Sequence, residues 1–135
     1  MKDLDRGMGD NHDPDKPATG LLRVRRAFFF SVDGLRAAWT GEAAFRQEVA
    51  LAIIALPIAA LLPATATQKA LLVACIMLVL IVELLNSAVE ACVDHISLEL
   101  HPLAKRAKDV GSAAVLLTLV NLAVVWCLVL YELFG

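Results

Sequence analysis

Three long apolar segments after residue 48 predict three membrane-spanning helices. Residues 49–67 and 110–131 contain no charged side chain, and residues 70–82, inside the segment 68–94, are all apolar without a helix breaker. A helix needs about 20 apolar residues to cross the hydrocarbon core of a bilayer. We therefore predict an all-α integral membrane protein with three transmembrane helices, the first of them kinked or shortened by Pro57 and Pro63.

The residues before these spans have a different pattern. Residues 1–19 are rich in Asp, Gly, Pro and Asn, and we expect a disordered leader. Residues 21–31 alternate basic and apolar side chains, which predicts an amphipathic helix on the membrane surface. A turn at residues 31–34 is expected to separate it from a second amphipathic helix at residues 35–48, where Glu42 falls within the apolar stripe.

Composition agrees with this architecture. The chain has 135 residues, 59% of them hydrophobic, and a mean hydropathy of +0.71. Water-soluble domains of this size seldom reach such values. Residues 20–135 are expected to form one membrane domain, and no nucleic-acid partner is expected because no basic patch is interleaved with aromatic side chains.

The distribution of Lys and Arg predicts the orientation in the membrane. Cytoplasmic loops carry an excess of these residues. Lys69 is the single basic residue between the first and second spans, whereas the leader side and the loop between the second and third spans hold most of the others. The N-terminus and that second loop are therefore predicted to be cytoplasmic. The basic residues concerned are Arg23, Arg25, Arg26, Arg36 and Arg46 before the spans, and Lys105, Arg106 and Lys108 in the loop.

The second span ends in a polar stripe. Glu83, Asn86, Ser87, Glu90 and Asp94 recur at helical spacing on an otherwise apolar helix. With a rise of about 1.5 Å per residue, Glu83 lies about 22 Å along the span, in the cytoplasmic third of the bilayer core. Carboxylates are costly at membrane depth and usually mark functional sites. This stripe is the candidate active face.

The residue types of the stripe and its surroundings suit phosphoryl transfer to a lipid. Glu42 and Glu90 could share a magnesium ion, whose remaining ligands are typically phosphates and water. Lys108 and Arg23 are cations suited to phosphate oxygens. Glu83, deeper in the apolar zone, is placed to act as general base on a lipid hydroxyl.

Composition and spacing alone leave three classes of function open. The nucleotide-binding patterns G-x-x-x-x-G-K-[ST] and G-x-G-x-x-G are absent from the sequence, as is a protein-kinase catalytic loop. A lipid-modifying enzyme, a proton-coupled transporter that uses Glu83 or Glu90, and a structural or assembly protein all remain compatible with the residues.

Four segments of the sequence nevertheless have a specific pattern. They are, in order, Gly34-Leu-Arg-Ala-Ala-Trp39, Glu42-Ala-Ala-Phe-Arg-Gln-Glu48, Glu83-Leu-Leu-Asn-Ser-Ala-Val-Glu90 and Arg106-Ala-Lys-Asp-Val-Gly-Ser-Ala-Ala114. Together they resemble the small bacterial diacylglycerol kinase family over residues 20–135, nearly the whole chain. The resemblance implies an ATP- and Mg²⁺-dependent lipid kinase of the bacterial inner membrane that converts diacylglycerol to phosphatidate. It also implies a homotrimer of three-span subunits with an N-terminal surface helix and active sites shared between subunits.

The same resemblance assigns roles to individual positions. Glu83 matches the catalytic base, Glu42 and Glu90 match the metal-binding carboxylates that also meet ATP, and Asn86 matches an orienting partner of the base. Further nucleotide contacts are implied for Arg23, Phe30, Glu99, Leu100, His101, Lys108 and Asp109. Contacts with the lipid substrate are implied for Glu83 and for Arg36, Ala37, Ala38, Trp39, Ala44, Phe45, Arg46, Gln47, Glu48, Ser112 and Trp126.

Two positions depart from the family pattern. Phe30 stands where a tyrosine is expected near the ATP phosphates, so one hydroxyl contact is missing, and Asp33 replaces a lysine. Neither position belongs to the acidic core. Within the same superfamily, a kinase acting on undecaprenol is the nearest alternative, and the Ala-Phe-Arg-Gln-Glu form of the second segment favours diacylglycerol.

Overall fold

The computed structural model describes residues 20–96 and 101–135, and its elements are four α-helices. Three of these helices are long and apolar enough to cross a membrane, in agreement with the predicted all-α membrane protein. The predicted leader, residues 1–19, lies outside the described residues. The helices are α1 (Gly20–Gly41), α2 (Ala43–Leu61), α3 (Ala66–Ile96) and α4 (Pro102–Phe134).

The helix break before the first span is not where the sequence predicted it. The expected turn at residues 31–34 is wrong, because α1 continues through these positions to Gly41. The Ser31 hydroxyl donates a hydrogen bond back to the carbonyl of Ala27 at 2.9 Å, so it does not cap a new helix. An uninterrupted helix over residues 35–48 is also wrong, since Glu42 has an extended backbone between α1 and α2.

The chain divides into two compact units, one ending at Asp33 and one comprising Gly34–Gly135. In the described part of the first unit, the guanidinium of Arg25 lies 5.6 Å from the centroid of the Phe29 ring, a cation–π contact. The Phe28 ring meets the Phe29 ring edge-on, with centroids 6.0 Å apart. The surface location of this helix stays a prediction.

Within the second unit, α3 is the central helix and packs against both α2 and α4. Its buried face consists of Leu72, Ile76 and Val79, and the next residue at the same spacing is Glu83, also buried. Steps of four, three and four residues keep these side chains on one helix face. The packing face of α3 therefore changes from apolar to acidic at Glu83 without leaving the interior.

Small side chains let α2 approach α3 closely. Ala52, Ala55 and Ala59 are buried, and they pack in two clusters with Ile76 and Leu72 of α3. In lipid, where the hydrophobic effect does not drive helices together, such small residues allow close backbone packing. Side chains of α4 complete both clusters, so the three spanning helices share one apolar core.

The connection between α2 and α3 is short and well capped. Helix α2 contains Pro57 and ends at Leu61, before Pro63, as the prolines predicted. The Lys69 ammonium donates to the Ala60 carbonyl at 2.7 Å, near the negative end of the α2 dipole.

Thr65 and Gln68 form a capping box at the start of α3. The Thr65 backbone N–H donates to the Gln68 side-chain oxygen at 2.8 Å. In return, the Gln68 backbone N–H donates to the Thr65 hydroxyl oxygen at 3.3 Å. Two backbone donors that the helix leaves unpaired are satisfied in this way.

Replacement of Thr65 by Ala is expected to lower the free energy of unfolding by about 1 kcal/mol, the usual cost of losing such a cap. The measurement is unfolding of the detergent-solubilised protein by a denaturing detergent, followed by circular dichroism. Thr67→Ala is the matched control, because Thr67 is exposed and its hydroxyl makes no hydrogen bond among residues 20–96 and 101–135. Equal stability of the two variants would contradict the capping role.

Candidate active site

Glu42 occupies the only break between helices α1 and α2. Its backbone is extended, with φ −111° and ψ 116°, although its N–H still donates to the Ala38 carbonyl at 2.9 Å. One turn later, the Arg46 guanidinium reaches back and donates from Nη1 to the carbonyls of Trp39 at 2.9 Å and Thr40 at 3.4 Å. A cation is favourable at the carbonyl end of a helix. Arg46 thus joins the two helices across the residue that carries the Glu42 carboxylate.

Glu83 is the most deeply buried carboxylate in the described part of the chain, with 4% of its surface exposed. It interacts electrostatically with Glu42 at the helix break and with Glu90 two turns along α3. Glu48, half-buried on α2, interacts with Glu83 as well. Glu83 thus interacts with three other carboxylates, and the repulsion between them favours a cation nearby.

Asn86 orients Glu90. Its side-chain Nδ2 donates a hydrogen bond to Glu90 Oε1 at 3.0 Å, one turn along the same helix. Its Oδ1 is buried and has no hydrogen-bond partner among residues 20–96 and 101–135. The sequence predicted Asn86 as a partner of Glu83; the hydrogen bond formed here goes to Glu90, and an effect on Glu83 stays a prediction.

Lys108 supplies positive charge beside the acidic residues. Its ammonium lies 3.0 Å from Oδ1 and 3.3 Å from Oδ2 of Asp94, and it interacts electrostatically with Glu90. The side chains of Lys108 and Asp94 are 39% and 64% exposed. A pair this accessible to solvent contributes little stability. The ammonium can therefore exchange Asp94 for a phosphate oxygen at small cost.

Other predicted nucleotide residues have structural partners of their own. His101 caps α4, its Nδ1 accepting from the Leu103 N–H at 3.2 Å, and Pro102 occupies the first turn. This cap explains why α4 begins eight residues before the predicted span at residue 110. Asp109 pairs with Lys105 at 2.5 Å on the exposed helix surface. Arg23 and Phe30 lie in the first unit, and Glu99 and Leu100 lie outside the described residues.

The predicted lipid contacts fall into three groups. Ala38 and Phe45 are buried beside the helix break, and Glu48 joins the carboxylates. Trp126 packs in the apolar core with Ile76, about 10 Å along α3 from Glu83. The remaining residues are exposed: Arg36, Ala37, Trp39, Ala44, Arg46, Gln47 and Ser112.

The carboxylates present suit a metal ion that is bound partly by the protein and partly by a bound ligand. Among residues 20–96 and 101–135, no group of three or more His, Cys, Asp or Glu side chains could hold a metal ion. Glu42 and Glu90 offer hard carboxylate oxygens, and both interact electrostatically with Glu83. Mg²⁺ commonly takes only one or two protein carboxylates and completes its shell with phosphates and water. The residues present fit that arrangement.

Two contributors to the site have no clear signal of their own in the sequence. Glu48 follows Arg46 and Gln47 just before the predicted span at residue 49, and only the resemblance indicated it. The helix-joining role of Arg46 has no local signal, because it depends on the break at Glu42.

A family described as prokaryotic diacylglycerol kinase matches residues 29–130. The chain is 50% identical to the diacylglycerol kinase of Escherichia coli strain K12 over 117 residues, which cover 87% of this chain and 96% of that protein. The chain is also 50% identical to the diacylglycerol kinase of Pseudomonas aeruginosa, and the match covers 87% of this chain and 95% of that protein. The diacylglycerol kinase of Helicobacter pylori strain 26695 is 43% identical, with 88% and 92% covered.

Proposed function

Because the chain belongs to the prokaryotic diacylglycerol kinase family, we propose that it transfers the γ-phosphoryl group of ATP to diacylglycerol and forms phosphatidate. The observation that carries this proposal is the buried Glu83, which ends the apolar face of α3 and interacts with Glu42, Glu48 and Glu90. A base at this depth meets a hydroxyl that arrives from the lipid phase.

Glu83 is the proposed catalytic base. Its carboxylate accepts the proton of the diacylglycerol hydroxyl as the oxygen bonds to the γ-phosphorus. The bond between that phosphorus and the β,γ-bridging oxygen breaks, and ADP leaves. In phosphoryl transfer, positioning and neutralisation of charge supply most of the catalysis. Burial of Glu83 excludes water, which would otherwise compete as the acceptor.

Glu42 and Glu90 are proposed to hold Mg²⁺ together with ATP. Bound there, the ion would neutralise charge on the phosphates. Lys108 is proposed to contact phosphate oxygens, and its solvent-exposed pairing with Asp94 supports this because such a pair is easily exchanged. Arg23, Phe30, Glu99, Leu100, His101 and Asp109 are proposed as the other nucleotide contacts.

The lipid is proposed to enter beside the helix break, where Ala38 and Phe45 present a buried apolar surface next to Glu42. The acyl chains then stay in the bilayer while the hydroxyl reaches Glu83. The other proposed lipid contacts are Arg36, Ala37, Trp39, Ala44, Arg46, Gln47, Glu48, Ser112 and Trp126.

We further propose a homotrimer in the bacterial inner membrane, with the N-terminus and the active site on the cytoplasmic side. Most of the apolar surface of α4 is exposed in the single chain, including Leu116, Leu117 and Leu128. In a membrane this surface meets lipid or another copy of the chain.

The direct test is phosphate transfer from ATP in mixed micelles that contain a short-chain diacylglycerol and undecaprenol side by side. We expect Mg²⁺-dependent labelling of diacylglycerol. Transfer mainly to undecaprenol would keep the chemistry and change the substrate. No transfer to either lipid, by protein shown to be folded, would overturn the proposal and favour a transporter that uses the same carboxylates.

A further inference from the structure

Helices α3 and α4 lie close together where Gly111 faces Asn86. A Cβ atom built on Gly111 collides with Asn86 Oδ1, whereas Cβ atoms at Gly34 and Gly41 meet nothing within 4 Å. The α4 backbone therefore lies directly against the Asn86 amide, and a larger residue at position 111 fits only if that amide moves.

The Asn86 amide is consequently held on two sides. Its Nδ2 donates to Glu90 Oε1 at 3.0 Å, and its buried Oδ1 lies against Gly111 without a hydrogen-bond partner among residues 20–96 and 101–135. A side chain at position 111 must push Oδ1 away. Because the amide is planar and rigid, that movement also displaces Nδ2 and breaks its bond to Glu90.

We infer that Gly111 is a positioning residue: by leaving room for the Asn86 amide, it fixes the Glu90 carboxylate in the orientation that binds the metal–nucleotide complex. This inference rests on the proposed function, in which Glu90 holds Mg²⁺. Residues behind a metal ligand typically change metal affinity 10- to 100-fold when they are altered. A substitution at Gly111 should therefore change the Mg²⁺ concentration that gives half the maximal rate more than it changes the KM for diacylglycerol.

The first measurement compares Gly111→Ala with the unaltered protein in mixed micelles. We expect the Mg²⁺ concentration that gives half the maximal rate to rise about 10- to 100-fold, with the KM for diacylglycerol unchanged. Binding supplies a second readout that needs no turnover. The affinity for Mn²⁺ in the presence of a non-hydrolysable ATP analogue, followed by the electron paramagnetic resonance signal of free Mn²⁺, should fall by a similar factor.

A double-mutant cycle separates this role from simple helix packing. Asn86→Ala removes both the obstructed oxygen and the hydrogen bond to Glu90. If Gly111 acts through Asn86, adding Gly111→Ala to Asn86→Ala should cause no further loss of Mn²⁺ affinity. Additive losses would overturn the inference, because Gly111 would then act elsewhere.

Gly34→Ala is the matched control, since its new methyl group meets open space in α1; it should leave the Mg²⁺ requirement as it was. If Gly111→Ala does not fold, the variant that combines Gly111→Ala with Asn86→Ala is used to test the inference. A folded double variant that binds Mn²⁺ like Asn86→Ala supports the inference, and an unfolded one overturns it.

The outcomes also distinguish this inference from the proposed function. If the unaltered protein phosphorylates diacylglycerol but Gly111→Ala leaves the metal affinity unchanged, the inference is wrong and the proposed function stands. An unaltered protein that transfers no phosphate would remove the function itself.

Discussion

Glu83→Gln is expected to reduce phosphate transfer to diacylglycerol by about 10²- to 10⁴-fold, the usual contribution of a general base. Glutamine fills nearly the same volume and retains hydrogen-bonding atoms, but its amide accepts no proton at neutral pH. The loss should appear in kcat, because lipid and nucleotide contacts remain. The measurement is the initial rate in mixed micelles at saturating ATP and lipid.

The same variant separates chemistry from folding. Glu83 is buried and interacts electrostatically with three other carboxylates, so removal of its charge relieves repulsion and desolvation. We therefore expect Glu83→Gln to unfold at the same or a higher denaturing-detergent concentration than the unaltered protein. Glu132→Gln, an exposed carboxylate near the end of α4, is the control for the change of charge. A Glu83→Gln protein that retains activity would exclude Glu83 as the base.

The second large effect is expected for Glu42→Gln. A direct metal ligand should matter at least as much as the groups behind it, so the Mg²⁺ concentration for half-maximal rate should rise by about 100-fold or more. The Glu42 side chain makes no capping hydrogen bond, and Arg46 holds the helix break through the carbonyls of Trp39 and Thr40. The substitution should therefore leave the fold intact.

The measurement is a Mg²⁺ titration of the rate at fixed ATP, accompanied by the KM for diacylglycerol. We expect the KM for the lipid to stay within about twofold, since a metal ligand acts on the nucleotide side. Glu132→Gln again serves as the control. An unchanged Mg²⁺ requirement in Glu42→Gln would show that Glu42 is not a metal ligand.

The spans and the acidic stripe could be predicted because both are local patterns. Apolar length determines whether a helix can cross the bilayer, and the spacing of Glu83 and Glu90 along one helix follows from its period. The break at Glu42 could not be predicted in the same way. The Ser31–Gly34 segment has turn-forming residues, yet a glycine inside a helix costs only about 1 kcal/mol, and the helix continues.

The contacts between helices could not be predicted from sequence patterns. Asp94 of α3 pairs with Lys108 of α4, and their distance depends on how these two helices lie relative to each other. The fit of Gly111 against Asn86 depends on the relative register of the same two helices. A shift by one residue would separate each pair, and nothing in the spacing of either helix alone specifies that register.

The continuity of the α3 face from Leu72 to Glu83 has a consequence for how the protein tolerates change. Each residue of an α-helix is rotated by about 100° about the helix axis relative to the residue before it. An inserted residue therefore changes the direction of every later side chain as well as its distance along the helix. One alanine inserted between Val79 and Glu83 would keep the span apolar and long enough. It would nevertheless turn every carboxylate beyond it by about 100° away from the face that α3 presents to its neighbours. The packing face of α3 thus sets the direction in which the carboxylates point, and we expect an insertion or deletion there to be more harmful than a substitution by a residue of similar size.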